Sequence, residues 1–319
     1  MRPAEKLSYE PPLLRRSDLS LLARLLILAL VAVLLPERHW PAFARACAKA
    51  RRAIRPGIRH RVAHIAAMTQ GRDLGPDPAL VQRDLVANAY LEDMQILRAC
   101  LPGGWQPDIR LDGAQHVDAA LGRGQGAILW VFPASFYALV SKMVFHNAGY
   151  PVTHLTSVEH GFSRSRLGVR LLNPLQYRTE QRYVAESLVI ARGGAQSSLT
   201  FLARRLRENR LISITIGAYH TPRVHWIRFM NGTIALPSGP LHLSRHSGAP
   251  ILPVFTARRG DGRFTVTVAP PLTVAADRAP DDAVEDLLLA CAGRIETFAL
   301  EHPDQFPWGT VVLDANDAD

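Results

Sequence analysis

Gly122-Arg123-Gly124-Gln125-Gly126-Ala127-Ile128-Leu129-Trp130-Val131-Phe132-Pro133 carries the reading of the fold. A glycine-rich turn opens into six apolar residues without a polar break, and Pro133 stops the run. Such a run reads as a strand covered on both faces, the kind found in parallel sheets. Similar short runs follow at Pro151 to Leu155, Leu188 to Ile190, Leu211 to Ile216, Ile251 to Ala257 and Phe264 to Val268, with helical stretches between them. The alternation predicts an α/β fold, a mostly parallel sheet flanked by helices, with a final antiparallel pair joined at Arg259-Gly260-Asp261-Gly262. Upstream, Val81, Leu85, Ala89, Met94, Leu97 and Leu101 recur at helical spacing, so Ala79 to Leu101 reads as an amphipathic helix closed by Pro102-Gly103-Gly104. Open sheets bind ligands outside the carboxyl ends of their strands. The places to examine are therefore Phe132 to Tyr137, His154 to Arg166 and Gly217 to His225.

The 319 residues are 48% hydrophobic and 20% charged, which excludes a disordered chain, a collagen and a coiled coil. A formal charge of +9 favours anionic partners. Cys47, Cys100 and Cys291 are isolated, with no metal-ligand spacing, so neither a metal nor a disulfide framework is indicated, and the thiols are read as reduced and facing the cytosol. No phosphate-loop spacing occurs, and no nucleotide cofactor is expected. Leu25 to Leu35 is apolar throughout; extended back to Leu19 it would form a helix of roughly 26 Å, close to a ~30 Å hydrocarbon core. This predicts an N-terminal membrane helix, with a helix buried in the fold as the alternative. Arg38, Arg45, Lys49, Arg51, Arg52, Arg55, Arg59 and Arg61 follow with no acid among them, interleaved with Trp40, Phe43, Ile54 and Ile58. That is the composition of a basic interfacial helix broken at Pro56-Gly57. Residues 1–70 are accordingly expected to be a membrane anchor with its basic helix, and 71–319 the α/β domain. A helix-turn-helix, zinc-finger or RNP pattern is lacking, so nucleic acid is not an expected partner.

Leu111-Asp112-Gly113, the stretch Gly122 to Leu129, Phe229-Met230-Asn231-Gly232-Thr233, Pro237-Ser238-Gly239-Pro240, Ser247 to Phe255 and His302-Pro303-Asp304-Gln305-Phe306-Pro307-Trp308 follow in an order and spacing that resembles the lauroyl and myristoyl acyltransferases of lipid A biosynthesis. These belong to the lysophospholipid acyltransferase superfamily. The resemblance implies a lysophospholipid/glycerol-phosphate acyltransferase-like domain at the cytoplasmic face of the inner membrane. It also implies transfer of an acyl chain from acyl carrier protein or acyl-CoA to a hydroxyl of a phosphorylated glycolipid, without a cofactor. The family chemistry uses a His as general base and an acid five residues later. Here those places hold Pro133 and Ala138.

Two function classes follow: an acyltransferase with a relocated site, or a catalytically inactive fold that binds lipid or scaffolds a membrane-protein partner in envelope biosynthesis. For the first, His154, Glu159 and His160 are the candidate base and orienting groups, since His154 and Glu159 repeat the His-x4-acid spacing after the next strand. Arg164, Arg166 and Arg170 are candidate phosphate holders, because a guanidinium meets a phosphate bidentately. Phe132, Tyr137 and His220 are candidate substrate-binding residues. Ser135 lies in no G-x-S-x-G elbow and is not read as a nucleophile.

Overall fold

The computed structural model describes residues 12–13, 15–54, 57–157, 160–190, 195–217, 224–272 and 280–313. Four helices come first: α1 (Arg16–Leu34), α2 (Trp40–Ile54), α3 (Ile58–Met68) and α4 (Pro78–Cys100). Then come β1 (Ile109–Asp112), α5 (Ala114–Leu121), β2 (Ala127–Val131), α6 (Tyr137–Asn147), β3 (Val152–Ser157), α7 (Arg166–Leu171), α8 (Asn173–Gln181), β4 (Glu186–Ile190), α9 (Ala195–Arg207) and β5 (Leu211–Thr215). The chain closes with β6 (Val224–Phe229), β7 (Gly232–Pro237), α10 (Gly239–Ser247), β8 (Ile251–Arg258), β9 (Phe264–Val268), α11 (Pro280–Glu301) and β10 (Val311–Leu313).

β2 lies inside a seven-stranded sheet of order β1-β9-β8-β2-β5-β3-β4, paired in parallel with β5 and β8. All five of its residues are buried. Ile128 and Trp130 face a core shared with α10 and α11, while Ala127, Leu129 and Val131 face a second core under α4 and α6. This two-sided burial is why the run shows no alternation. β9 turns back antiparallel on β8, as the 259–262 turn predicts, and leads to β1 at the edge. The helix read over Ala79 to Leu101 is α4, started by Asp77, whose carboxylate accepts from the Ala79 N–H at 2.6 Å.

A second sheet, β10-β7-β6, is antiparallel and was not expected from the hydrophobic pattern. β6 exposes both His225 and Trp226, so its alternation is broken. Its hairpin is held instead by Asn231, which donates to the carbonyls of Ala67 and Gln70 at 3.0 and 2.8 Å. A side chain at Gly232 would strike the Val312 carbonyl oxygen at 2.2 Å, so only glycine lets β10 close the sheet.

The N-terminal membrane helix is not supported. Among the described residues no helix is long and apolar enough to cross a membrane. α1 docks on α4 instead, with Leu25, Leu28 and Ala32 buried and Arg24 paired with Asp93 at 2.8 Å. Half of its circumference is nonetheless uncovered: Leu26 is 64% and Leu30 60% exposed, in line with Leu19, Leu22 and Val33. α2 buries Trp40, Ala44 and Ala48 and turns Arg45, Lys49 and Arg52 outward. α2 ends at Ile54 and α3 starts at Ile58; Pro56, where the basic segment was expected to break, lies outside the described residues.

Candidate active site

A cluster of ionisable groups converges from α6, α8 and the chain just after β3. Lys142 on α6 is buried; its ammonium donates to the Ala138 carbonyl at 2.6 Å and lies 3.0 Å from Oε2 of Glu180 on α8. Glu180, also buried, accepts from Gln176 one turn earlier at 2.7 Å. Both of its oxygens lie 2.9 Å from Nε2 of His160, in the turn after β3. His160 is 20% exposed at its side chain, while Lys142 and Glu180 are almost fully enclosed. Its Nδ1 has no hydrogen-bond partner among the described residues.

Electrostatics fixes the protonation of this chain. Burial alone would raise the Glu180 carboxyl. The charges of Lys142 and His160 and the bonds from His160 and Gln176 outweigh it, and Glu180 is held well below the usual carboxylate range. An ionised Glu180 accepts from His160 Nε2–H, which leaves Nδ1 as the ring nitrogen turned away from the carboxylate. A histidine held against a carboxylate in this way has the geometry of the His–acid pair in the hydrolase triad.

Local sequence explains the placement of His160. Gly161 sits at φ +137°, and a Cβ there would lie 2.5–2.8 Å from the Asn173 side chain. Asn173 clamps the turn, accepting from the Ser163 N–H and donating to the Ser163 carbonyl, each at 2.9 Å. Ser163 Oγ donates to Asp18 of α1 at 3.0 Å, and Ser165 caps α7 by accepting from the Gly168 N–H at 3.0 Å. The His160 turn is thus fixed to α8 on one side and α1 on the other.

The first block after β2 is pinned as well. The Ser135 N–H donates to the Gln305 carbonyl at 2.9 Å, so the closing motif 302–308 docks on the loop that holds Pro133. Asn88 of α4 donates to the Asp304 carbonyl at 2.7 Å. Phe136 adopts φ +71° at the start of α6, and its N–H is bonded by Glu92, a partly buried acid of α4. Burial, then the neighbouring Asp93 and the charge of Glu180, push the Glu92 carboxyl up to about 8, against the Phe136 bond that lowers it.

This shift has a measurable sign. A carboxyl raised in the fold from its usual 4.5 favours the folded state fully below that value and loses the contribution as pH rises through about 8. Solvent at Glu92 screens part of the shift, leaving about 2–3 kcal/mol. Glu92→Gln should therefore match the wild-type melting temperature at pH 5 and exceed it at pH 8.5. Equal melting temperatures at both pH values would contradict the burial of an ionisable Glu92.

Of the sequence candidates, His160 is in the cluster. His154 is 6% exposed within β3, its Nδ1 3.2 Å from Ser213 Oγ on β5. Burial first, then the charge of Lys142, depresses its pKa well below the usual imidazole value, so it is a neutral core group. Glu159 and His220 lie outside the described residues. Phe132 belongs to the core, stacked on Phe306 at 5.6 Å and beside Phe255 and Phe298. Tyr137 is partly buried against the α4–α6 core. Arg164, Arg166 and Arg170 are exposed around α7, and Arg164 borders a groove of about 840 Å³. That groove runs between α1, α2 and α4, with Leu21, Ile27, Phe43 and Phe162 among its apolar walls and Arg24, Arg51 and Arg164 among its cations.

Lys142, Glu180, Gln176 and Glu92 were not anticipated. The signal for the first was present: Lys142 interrupts the otherwise apolar Leu139-Val140-Ser141-Lys142-Met143-Val144-Phe145, and a lysine inside a buried helix needs an acid. Among the described residues no group of three His, Cys, Asp or Glu could hold a metal ion.

No curated protein matches the chain. The sequence model of the bacterial lipid A biosynthesis acyltransferases matches residues 97–309, from the end of α4 through β9 and the closing motif. With the order of blocks and the α/β fold in agreement, the chain belongs to the bacterial lipid A biosynthesis acyltransferase family.

Proposed function

We propose that this protein transfers an acyl group from an acyl thioester to a hydroxyl of an anionic glycolipid or related glycan or lipid acceptor, through an active site rebuilt around His160. The observation that carries the reading is the Lys142–Glu180–His160 chain, which supplies a base and its orienting acid where Pro133 and Ala138 supply neither. Nδ1 of His160 takes the hydroxyl proton as the acceptor oxygen attacks the thioester carbonyl carbon. The tetrahedral intermediate then collapses, the C–S bond breaks, and the imidazolium returns its proton to the leaving thiolate. The groove bordered by Phe162 and Arg164 suits an acyl chain beside an anionic head group. Mass spectrometry of total lipids from cells with and without the protein tests the reading: loss of one acylated species supports it, and an unchanged profile opposes it.

The same reading places the chain on the cytoplasmic face of the inner membrane, lying on the bilayer rather than through it. The uncovered apolar face of α1 and the outward Lys49 and Arg52 of α2 support this, since an apolar stripe beside cations suits an anionic lipid interface. Each buried leucine contributes about 1.5–3 kcal/mol. Leu26→Glu/Leu30→Glu should therefore move the protein from the membrane pellet to the supernatant without lowering its melting temperature. Retention in the pellet would rule out α1 as the contact.

The second reading is an inactive member that binds lipid, favoured by Pro133 and Ala138 at the family's catalytic places. It predicts lipid binding in the groove with no transfer by the wild-type protein.

A further inference from the structure

A second groove, of about 610 Å³, lies across α2 from the first, between α4 and the β8–β9 hairpin. It opens at the carboxyl end of β8, which runs parallel to β2, and so at the ligand-binding edge of the sheet. Gln95 of α4 lines it, is only 4% exposed, and has no side-chain hydrogen-bond partner among the described residues. Its amide atoms are not among the sealed, unpartnered polar atoms of the described residues, so the amide opens to the groove and is free to bond a ligand there.

Two guanidinium groups line the same groove without an ion-pair or hydrogen-bond partner among the described residues: Arg45 of α2 and Arg258 at the end of β8. Carboxylates stand nearby, but they are engaged elsewhere. Asp108 and Asp261 hold Arg263 at 3.1 and 3.9 Å, and Glu37 accepts from the Trp105 indole at 2.9 Å. Burial first, and the charge of Arg45 second, press the Arg258 pKa below its usual value, against Asp304, Glu37 and Asp261. The fold nevertheless holds this residue in place. Its main-chain N–H donates to Gln305 Oε1 at 2.7 Å, and its carbonyl accepts from Gln305 Nε2 at 2.9 Å. Two cations that repel each other across a polar groove, one anchored at both main-chain groups, are arranged for an anion not made by the protein.

We propose that Arg45, Arg258 and Gln95 form a phosphate-ester site, in which the two guanidinium groups clamp the phosphoryl oxygens and the Gln95 amide donates to a third acceptor. A phosphate ester satisfies both charges and the amide at once. Either the phosphodiester of a thioester donor's carrier arm or the phosphate of a lipid head group has this chemistry. The site is independent of His160 and does not rest on the catalytic reading.

The test is titration calorimetry of the full chain with three probes: inorganic phosphate, coenzyme A, and detergent micelles carrying phosphatidylglycerol. Saturable binding of at least one probe is expected. Arg45→Ala and Arg258→Met should each weaken it about tenfold or more, and Gln95→Leu several-fold, whereas His160→Ala should leave it unchanged. Preference for coenzyme A over the micelles assigns the site to the donor, and the reverse to a lipid. Arg258→Met removes a partly buried charge and should melt no lower than the wild type; if it fails to fold, the exposed Arg45→Glu decides the question alone. Absence of binding by all three probes, or equal binding by wild type and Arg45 variant, overturns the proposal.

Discussion

His160→Ala is expected to lower the rate of the proposed acyl transfer by about 10²–10⁴, the worth of a positioned general base, while binding of the lipid acceptor changes little. The loss should fall on kcat rather than KM, because the imidazole acts on the proton that moves as the new bond forms. Glu180→Gln should reproduce much of it. The glutamine keeps the volume and one acceptor but does not stabilise the imidazolium. Its pH–rate profile separates orientation from mere support. The acid limb, where a histidine base takes up a proton and activity falls, should shift with Glu180→Gln if the carboxylate tunes the imidazole, and stay in place if Glu180 only holds α8. Activity of His160→Ala within twofold of wild type would remove His160 from the mechanism.

Lys142→Met costs about 3–5 kcal/mol, because it leaves Glu180 ionised and enclosed with only a part-exposed histidine to answer it. For a domain of this size that is roughly 6–20 °C in melting temperature. Lys142→Met/Glu180→Leu should recover most of it, since a buried ion pair can be replaced by apolar groups far more cheaply than it can be broken. The pH dependence has the opposite sign to that of Glu92. A carboxylate depressed in the fold contributes above its unfolded pKa and loses that contribution as pH falls, so the wild-type protein should weaken in acid more than the double variant, which keeps only the depressed carboxylates elsewhere, such as Asp18 and Glu186. Denaturant melts of the three proteins at pH 7 and pH 4 carry both comparisons.

The sheet was legible because its central strands are buried on both faces, and a run such as Ala127 to Phe132 has no competing period. Hydrophobic content could not reveal the small sheet. What holds β6 and β7 is a side-chain amide bonding the end of α3 and a glycine that admits β10, neither of which leaves a periodic trace. α1 shows a related limit: length and apolarity are properties of a helix alone, whereas α4 decides which half of α1 is covered. The cluster was half legible. His160 lies where a strand ends, a place the topology of open sheets marks for attention. Glu180 is 20 residues from its histidine and reaches it only because α8 packs back on the turn. Burial likewise moved His154 from candidate base to core, although its spacing to Glu159 repeats the family pattern.

Transfer itself tests the central claim most directly. Purified wild-type protein and His160→Ala, matched by circular dichroism, would be incubated with a labelled acyl carrier protein thioester and a phosphorylated glycolipid, and the lipid product weighed by mass spectrometry. A rebuilt site predicts an acylated product from the wild type and only background from the variant. No product from a wild-type protein that still binds the glycolipid would contradict it, and would mark the chain as a lipid-binding member of its family.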